Sequence, residues 1–148
     1  MKKLVLLLAV TLMSLTTFAQ SGKYVSAGTL YSTKQLTYGV EAGLWGEKSW
    51  YGVVAETTKD YQGTAYSTYV GPKIYYKLAK LDKVVDLYTY AAVKVGVFSG
   101  TPLQLEPGIA SVINLSEKVA IQWNLSMPIY ENVRPINPST GLGVNFYF

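Results

Sequence analysis

The stretch VAIQWNLSMPIY, residues Val119 to Tyr130, alternates strictly between two kinds of side chain. Large apolar residues occupy its odd positions, and small or polar residues occupy its even positions. Successive side chains of a β-strand point to opposite faces, so the pattern predicts a strand with one apolar and one polar face. The pattern by itself leaves two orientations open. The apolar face is turned inward in a water-soluble barrel and outward in a membrane barrel.

The N-terminus has the features of a secretory signal peptide. Two lysines precede an apolar run from Leu4 to Leu15, and Thr17 to Ala19 approximates a small-x-small cleavage site. The run is too short for a membrane-spanning helix. We therefore expect residues 1–19 to be a cleaved signal peptide and residues 20–148 to form one domain.

The composition argues against several kinds of site. The chain has no cysteine and no histidine, which removes thiolate chemistry and counts against most metal, catalytic-triad and proton-shuttle sites. The net charge of +4 falls to about +2 without the two signal-peptide lysines, which is too weak to predict nucleic-acid binding. The sequence accordingly predicts no catalytic residue, cofactor or metal.

Period-two alternation recurs along the mature chain, and turn residues separate its segments. The short links between segments predict antiparallel neighbours, so we expect an all-β, eight-stranded, up-and-down transmembrane β-barrel. The predicted strands are Tyr24–Ser32, Gln35–Trp45, Ser49–Thr58, Thr64–Leu78, Val84–Ser99, Leu103–Leu115, Val119–Tyr130 and Thr140–Phe148.

The charged residues test which face is which. When the apolar face of each strand is assigned from its large hydrophobic residues alone, all seven charges within the strands fall on the other face. Random placement would do this about one time in a hundred, given strict two-face alternation. These residues are Glu41, Glu56, Lys73, Lys77, Asp86, Lys94 and Glu106.

The polar face is better suited to a narrow interior than to a water-exposed surface. It is rich in Tyr, Gly, Ser and Asn and holds few charges, whereas a solvated surface is richer in Lys and Glu. An eight-stranded barrel is just wide enough to be filled by side chains. Buried charges need partners, and the expected hairpins place Lys77 opposite Asp86 and Lys94 opposite Glu106. The seven charges are therefore predicted to form a polar network in the lumen.

The C-terminal sequence GLGVNFYF ends in Phe148, with apolar residues at alternate positions before it. It resembles the closing strand of bacterial outer-membrane barrels. Together with the signal peptide and the eight alternating segments, the mature chain resembles the small eight-stranded outer-membrane β-barrel family (OmpX/OmpW-like, the porin-family barrel domain). The resemblance implies the outer membrane of a Gram-negative bacterium, contact with its lipid, and recognition of the last strand by the barrel-assembly machinery.

Enzymatic members of such barrel families are implied to use histidine with Ser or Asp, and this chain has no histidine. Glu41 and Glu56 share the polar face with lysines, so they are better explained as ion-pair partners than as a catalytic carboxylate pair. The sequence therefore predicts a non-enzymatic barrel with a structural or envelope-associated role.

Two other functions remain open on the sequence. The first is an OmpW-like conduit or binder for small hydrophobic molecules, with Leu30, Trp45, Trp50 and Val54 as its apolar candidates on the polar face. The second is a secreted, soluble, lipocalin-like barrel whose apolar face points inward. The proline-containing loop Glu131 to Ser139, with Arg134, is the best candidate for external contact.

Overall fold

The structure is a computed structural model whose regular elements, in the part of the chain it describes, are all β-strands. No helix in that part is long and apolar enough to cross a membrane. The predicted signal peptide and Arg134 lie outside the described residues. The described ranges are 22–33, 35–60, 66–97, 103–130 and 138–148.

The predicted strands are present, most with ends shifted by one or two residues. One prediction is wrong: the segment from Val119 to Tyr130 is divided at Met127 and Pro128 into two strands that lie in line along the same neighbour. The strands are β1 (Gly22–Tyr31), β2 (Gln35–Trp45), β3 (Ser49–Asp60), β4 (Tyr66–Lys80), β5 (Val85–Gly96), β6 (Leu103–Asn114), β7 (Val119–Ser126), β8 (Ile129–Tyr130) and β9 (Ser139–Tyr147).

The sheet closes on itself. Each strand from β1 to β6 pairs antiparallel with the next, β8 also pairs with β6, and β9 pairs with both β7 and β1. The ends of the described chain meet, because Lys23 N–H donates to the Phe148 carbonyl at 3.1 Å and Phe148 N–H donates to the Lys23 carbonyl at 2.8 Å. The barrel therefore has eight wall positions, with β7 and β8 sharing one. Its terminal end carries Gly22 and Phe148, and its loop end lies opposite.

The gap between β7 and β8 has a local cause in two prolines. The β6–β7 ladder ends near Pro107, and pairing resumes where Leu105 of β6 meets Ile129 of β8. Proline has no N–H to donate to a ladder. Pro107 and Pro128 both fall in this gap, where the one backbone bond is Met127 N–H to the Pro107 carbonyl, at 3.0 Å.

The apolar face of the wall points outward. In β9 the burial of side chains alternates at all nine positions. Val93 and Leu125 are 37% and 38% exposed, whereas Lys94 and Glu106 are 0% and 1% exposed. This is the orientation that a transmembrane barrel requires, and it is the reverse of the soluble lipocalin-like alternative.

Candidate functional site in the barrel interior

The seven charges predicted for the polar face lie on the inner side of the wall. Six of them are at most 9% exposed, and the Lys77 side chain near the terminal end is 22% exposed. A buried charge is costly unless it is paired and hydrogen-bonded, so their partners decide what the site is. The six buried residues are Glu41, Glu56, Lys73, Asp86, Lys94 and Glu106.

Lys94 lies between two carboxylates. Its ammonium donates to Glu56 and to Glu106, and Glu106 also accepts the hydroxyl of Tyr90 at 3.2 Å. The predicted contact between Lys94 and Glu106 forms, but the predicted register is wrong. The residue directly opposite Lys94 is Gln104, so the ion pair runs diagonally between strands. The Glu56 contact joins strands that are not neighbours in the sheet, because β4 separates β3 from β5.

Lys73 and Glu41 form a second buried pair, with 3.6 Å between Nζ and Oε2. The Lys73 ammonium also lies over the ring of Tyr90, 4.3 Å from its centroid, where the face of the ring attracts a cation. Glu41 accepts the hydroxyls of Tyr24 and Tyr75, the latter at 2.9 Å. Both charges are thus compensated by several partial contacts rather than by one tight ion pair.

Lys77 and Asp86 form the third pair, at 2.7 Å. The sequence predicted them to be directly opposite each other, but Lys77 is opposite Tyr88. Asp86 is opposite Lys80 instead, because the turn between the strands lies at residues 81–84. A register shift between Lys77 and Ala79 then moves the rest of β4 by one residue. Such a β-bulge inserts a residue into one strand and cannot be read from the alternation of the other.

A chain of hydrogen bonds crosses the interior from one wall to the other. Asn145 Nδ2 donates to Gln122 Oε1 at 2.9 Å, and Gln122 Nε2 donates to the Tyr75 hydroxyl at 3.1 Å. Tyr75 and Tyr24 then both donate to Glu41. The link between Gln122 of β7 and Tyr75 of β4 joins strands that are not neighbours in the sheet.

Sequence reasoning missed this chain. Alternation places Tyr75, Gln122 and Asn145 on the polar face, but it gives no distance between residues of strands that do not pair. Tyr24 precedes Val25, which lies on the apolar face, so the alternation of the strand could have placed Tyr24 among the interior residues.

An aromatic cluster fills the interior toward the terminal end. The indole of Trp50 lies at its centre, with ring centroids 5.0 to 5.7 Å from those of four tyrosines. These separations are in the range of favourable aromatic pairs. The four tyrosines are Tyr24, Tyr75, Tyr88 and Tyr147.

Two cavities lie along the barrel interior, one toward each end. The cavity toward the loop end has a volume of about 40 Å³ and is lined by Leu30, Val54 and Tyr75, among others. The cavity at the terminal end has a volume of about 540 Å³, and Trp45 and Trp50 are in its wall. The four apolar candidates of the sequence analysis are therefore divided between opposite ends of the barrel.

The carboxylates of the interior are already engaged by donors. Glu41 and Glu56 belong to different ion pairs rather than to one facing pair. In the described ranges no group of three or more His, Cys, Asp or Glu side chains is placed to hold a metal ion. The arrangement can tie the walls of the barrel together and neutralise charge in its interior.

The fold is similar to those of small β-barrels of known structure. The N-terminal β-barrel domain of Pseudomonas aeruginosa OprF is 13% identical, with a TM-score of 0.65 over 87% of this chain and 100% of that one. The Yersinia pestis outer membrane protein Ail, in a phospholipid bilayer nanodisc, is 12% identical, with a TM-score of 0.56 over 87% and 100%. Neisserial surface protein A is 14% identical, with a TM-score of 0.53 over 86% and 96%.

These similarities establish the class of fold: a closed, all-antiparallel barrel with eight wall positions, of the kind found in small outer-membrane proteins. No family model and no curated protein matches the sequence, so the identification is of a fold class and not of a family.

Proposed function

We propose that this chain is a non-enzymatic structural protein of the Gram-negative outer membrane, with an interior closed by its own side chains. The observation that carries the proposal is the hydrogen bond of 3.1 Å between Gln122 and Tyr75, which joins two non-adjacent walls. A solute that passes between these two walls at this level would have to separate the contact. The apolar outer face supplies the surface that lipid would cover.

Charge pairing supports the same function. Buried ionic networks with several satisfied contacts are strong inside a protein, because the local dielectric constant is low. Lys94, held by two carboxylates, and Lys73, held by Glu41 and Tyr90, fix β2 to β6 to one another. These contacts favour a rigid barrel over an open pore.

Single-channel recording in planar lipid bilayers tests the closed interior. We expect the wild-type protein to show no openings of porin size. Trp50→Ala removes the ring at the centre of the aromatic cluster and should increase ion leak, whereas Trp123→Ala on the outer face should not. Porin-scale conductance of the wild type would refute the proposal of a closed interior.

Membrane fractionation combined with gel electrophoresis tests the localisation. We expect the protein in the outer-membrane fraction, migrating anomalously until it is boiled, because a folded barrel resists unfolding in detergent. Recovery in the aqueous fraction without detergent would contradict the proposal.

Recognition of β9 by the barrel-assembly machinery is part of the proposal. The Phe148 side chain is 77% exposed, so its removal leaves the barrel interior intact. Phe148→Ala should lower the amount of assembled barrel in cells, while the purified variant refolds in detergent as the wild type does. Equal losses in cells and in detergent would indicate a stability defect instead.

A second function, binding of small hydrophobic molecules, is favoured by the cavity of about 540 Å³ at the terminal end. Its wall includes Trp45, Trp50, Tyr88, Leu115 and Tyr147. Ligand sites of this volume are commonly lined by aromatic and apolar side chains with a few polar groups. Because the aromatic cluster and the polar chain lie between this cavity and the loop end, the geometry favours a binder over a conduit.

Tryptophan fluorescence tests the second function. In a Trp123→Phe background, the two remaining tryptophans both line the cavity, so a small aromatic probe such as toluene should change their emission saturably. Trp45→Phe in the same background should weaken the response. A linear, non-saturating change would indicate partition of the probe into detergent and would refute specific binding.

A further inference from the structure

The terminal end of the barrel contains a second cleft, which shares Glu47 and Lys77 with the cavity of about 540 Å³. The second cleft has a volume of about 350 Å³ and lies where the end of β4 meets the turn between β2 and β3. The turn and β4 are joined there by Lys77 N–H donating to the Lys48 carbonyl at 2.8 Å. The lining residues are Glu47, Lys48, Tyr76, Lys77, Leu78, Ala79 and Lys80.

One part of the cleft belongs to the apolar outer face. Tyr76 and Leu78 are 58% and 54% exposed, and Ile74, two residues earlier on the same face of β4, is 43% exposed. The register shift between Lys77 and Ala79 falls at this point in β4. Lys80 follows the shift, at the exposed end of β4, and is part of the cleft lining.

The other part of the cleft is positively charged. The Lys77 ammonium is paired with Asp86, so it adds little charge outside the barrel. Lys48 and Lys80 are exposed, and neither belongs to any of the four ion pairs in the described part of the chain. Glu47 is the acidic residue in the lining, so two ammonium groups face one carboxylate.

We infer that this cleft binds the headgroup of an acidic phospholipid from the membrane leaflet at the terminal end. The phosphodiester would lie between Lys48 and Lys80, and an acyl chain would run along Leu78 and Tyr76 toward Ile74. The inference rests on the proposed function, because it requires the outer face to lie in lipid. Each lysine that contacts the bound headgroup should contribute about fivefold in affinity.

Native mass spectrometry of the folded protein in detergent micelles tests the inference. The probes are phosphatidylglycerol and phosphatidylethanolamine with identical acyl chains. We expect the wild type to retain phosphatidylglycerol preferentially. Lys48→Gln with Lys80→Gln should reduce that retention by about tenfold or more, from the two lysine contributions together.

The matched control is Lys23→Gln with Lys118→Gln, which removes the same charge from exposed positions at the same end but outside the cleft. This control should stay within about twofold of the wild type. Lys48→Arg with Lys80→Arg keeps the charge and should retain the lipid, which guards against a folding defect in the glutamine variant.

Equal losses in the two glutamine variants would overturn the inference in favour of general attraction to a positive barrel end. Equal retention of the two lipids by the wild type would also overturn it. Failure of the proposed function gives a different result, because a chain that does not form a membrane barrel would lack the heat-modifiable band before any lipid is added.

Discussion

Val93 and Lys94 are neighbours in β5, yet they lie in opposite environments. Val93 is 37% exposed on the outer face, and Lys94 is 0% exposed between two carboxylates on the inner face. In a water-soluble barrel these positions would be exchanged, because hydrocarbon is buried and charge is solvated. The difference is explained if the surroundings of the outer face are less polar than the interior of the barrel.

The comparison also ranks the charged pairs inside the barrel. The Lys94 cluster is fully buried, the Lys73 pair is buried but looser at 3.6 Å, and the Lys77 pair lies near the open terminal end. The value of an ion pair depends on its burial, since solvent screens exposed pairs. Substitutions on the two faces, and in each of the three groups of ion pairs, therefore test whether the surroundings of a side chain set its contribution to stability.

The largest effect is expected at Lys94. Lys94→Met leaves the carboxylates of Glu56 and Glu106 buried without their cation, which should cost about 3–5 kcal/mol in the free energy of unfolding. Urea unfolding from lipid vesicles measures the loss. Adding Glu56→Gln and Glu106→Gln should recover most of it, and a loss for Lys94→Met below about 1 kcal/mol would mean that this cluster is solvated.

The outer face gives the next effect. Val93→Arg places a charge near the middle of the outer apolar surface and should cost about 2–4 kcal/mol in the same unfolding assay. Val84→Arg is the matched control, since Val84 lies in the turn at the terminal end, where the cost should be about 0–1 kcal/mol. Equal costs at the two positions would argue against a lipid environment around Val93.

A smaller loss is expected at Glu41. Glu41→Gln keeps an acceptor oxygen for a tyrosine hydroxyl but removes the charge that pairs with Lys73, so we expect a loss of about 1–3 kcal/mol. Tyr24→Phe removes one hydrogen bond to the same carboxylate and should cost about 0.5–1.5 kcal/mol. The urea concentrations at the unfolding midpoints of the two variants would be compared, with the dependence of the unfolding free energy on urea concentration taken as equal. A neutral Glu41→Gln variant would show that the cross-barrel chain does not depend on the charge.

The smallest effect belongs to the pair at the terminal end. The side chains of Lys77 and Asp86 are 22% and 12% exposed, so water screens part of their attraction. Lys77→Gln should cost about 0–1 kcal/mol, and high salt should reduce the difference from the wild type. A loss as large as that of Lys94→Met would show that burial does not rank these pairs.

Most of the wall could be predicted from the sequence, because the information needed is local. The side-chain period of a strand is two residues, so Val93 and Lys94 must face opposite sides wherever the strand lies. The sequence predicted Val119 to Tyr130 as one strand, although a proline within a strand favours a strand end or a bulge. The division involves Pro107 of the neighbouring strand as well as Pro128, and alternation within one segment gives no information about its neighbour.

The network in the interior could be predicted only in part. Lys77 with Asp86 and Lys94 with Glu106 were correct as contacting pairs, because an antiparallel hairpin brings their segments together. Their register was wrong, since Asp86 is opposite Lys80 beside the turn at residues 81–84, and Lys94 is opposite Gln104 in the β5–β6 ladder.

The order of residues in the chain is enough to specify alternating strands and the side chains that share the charged face. The contacts of Lys94 with Glu56 and of Gln122 with Tyr75 form only in the closed barrel. Those contacts join strands that do not pair, and their distances depend on the tilt and stagger with which the sheet closes. Closure is a property of all the strands together, so no single stretch of sequence specifies it.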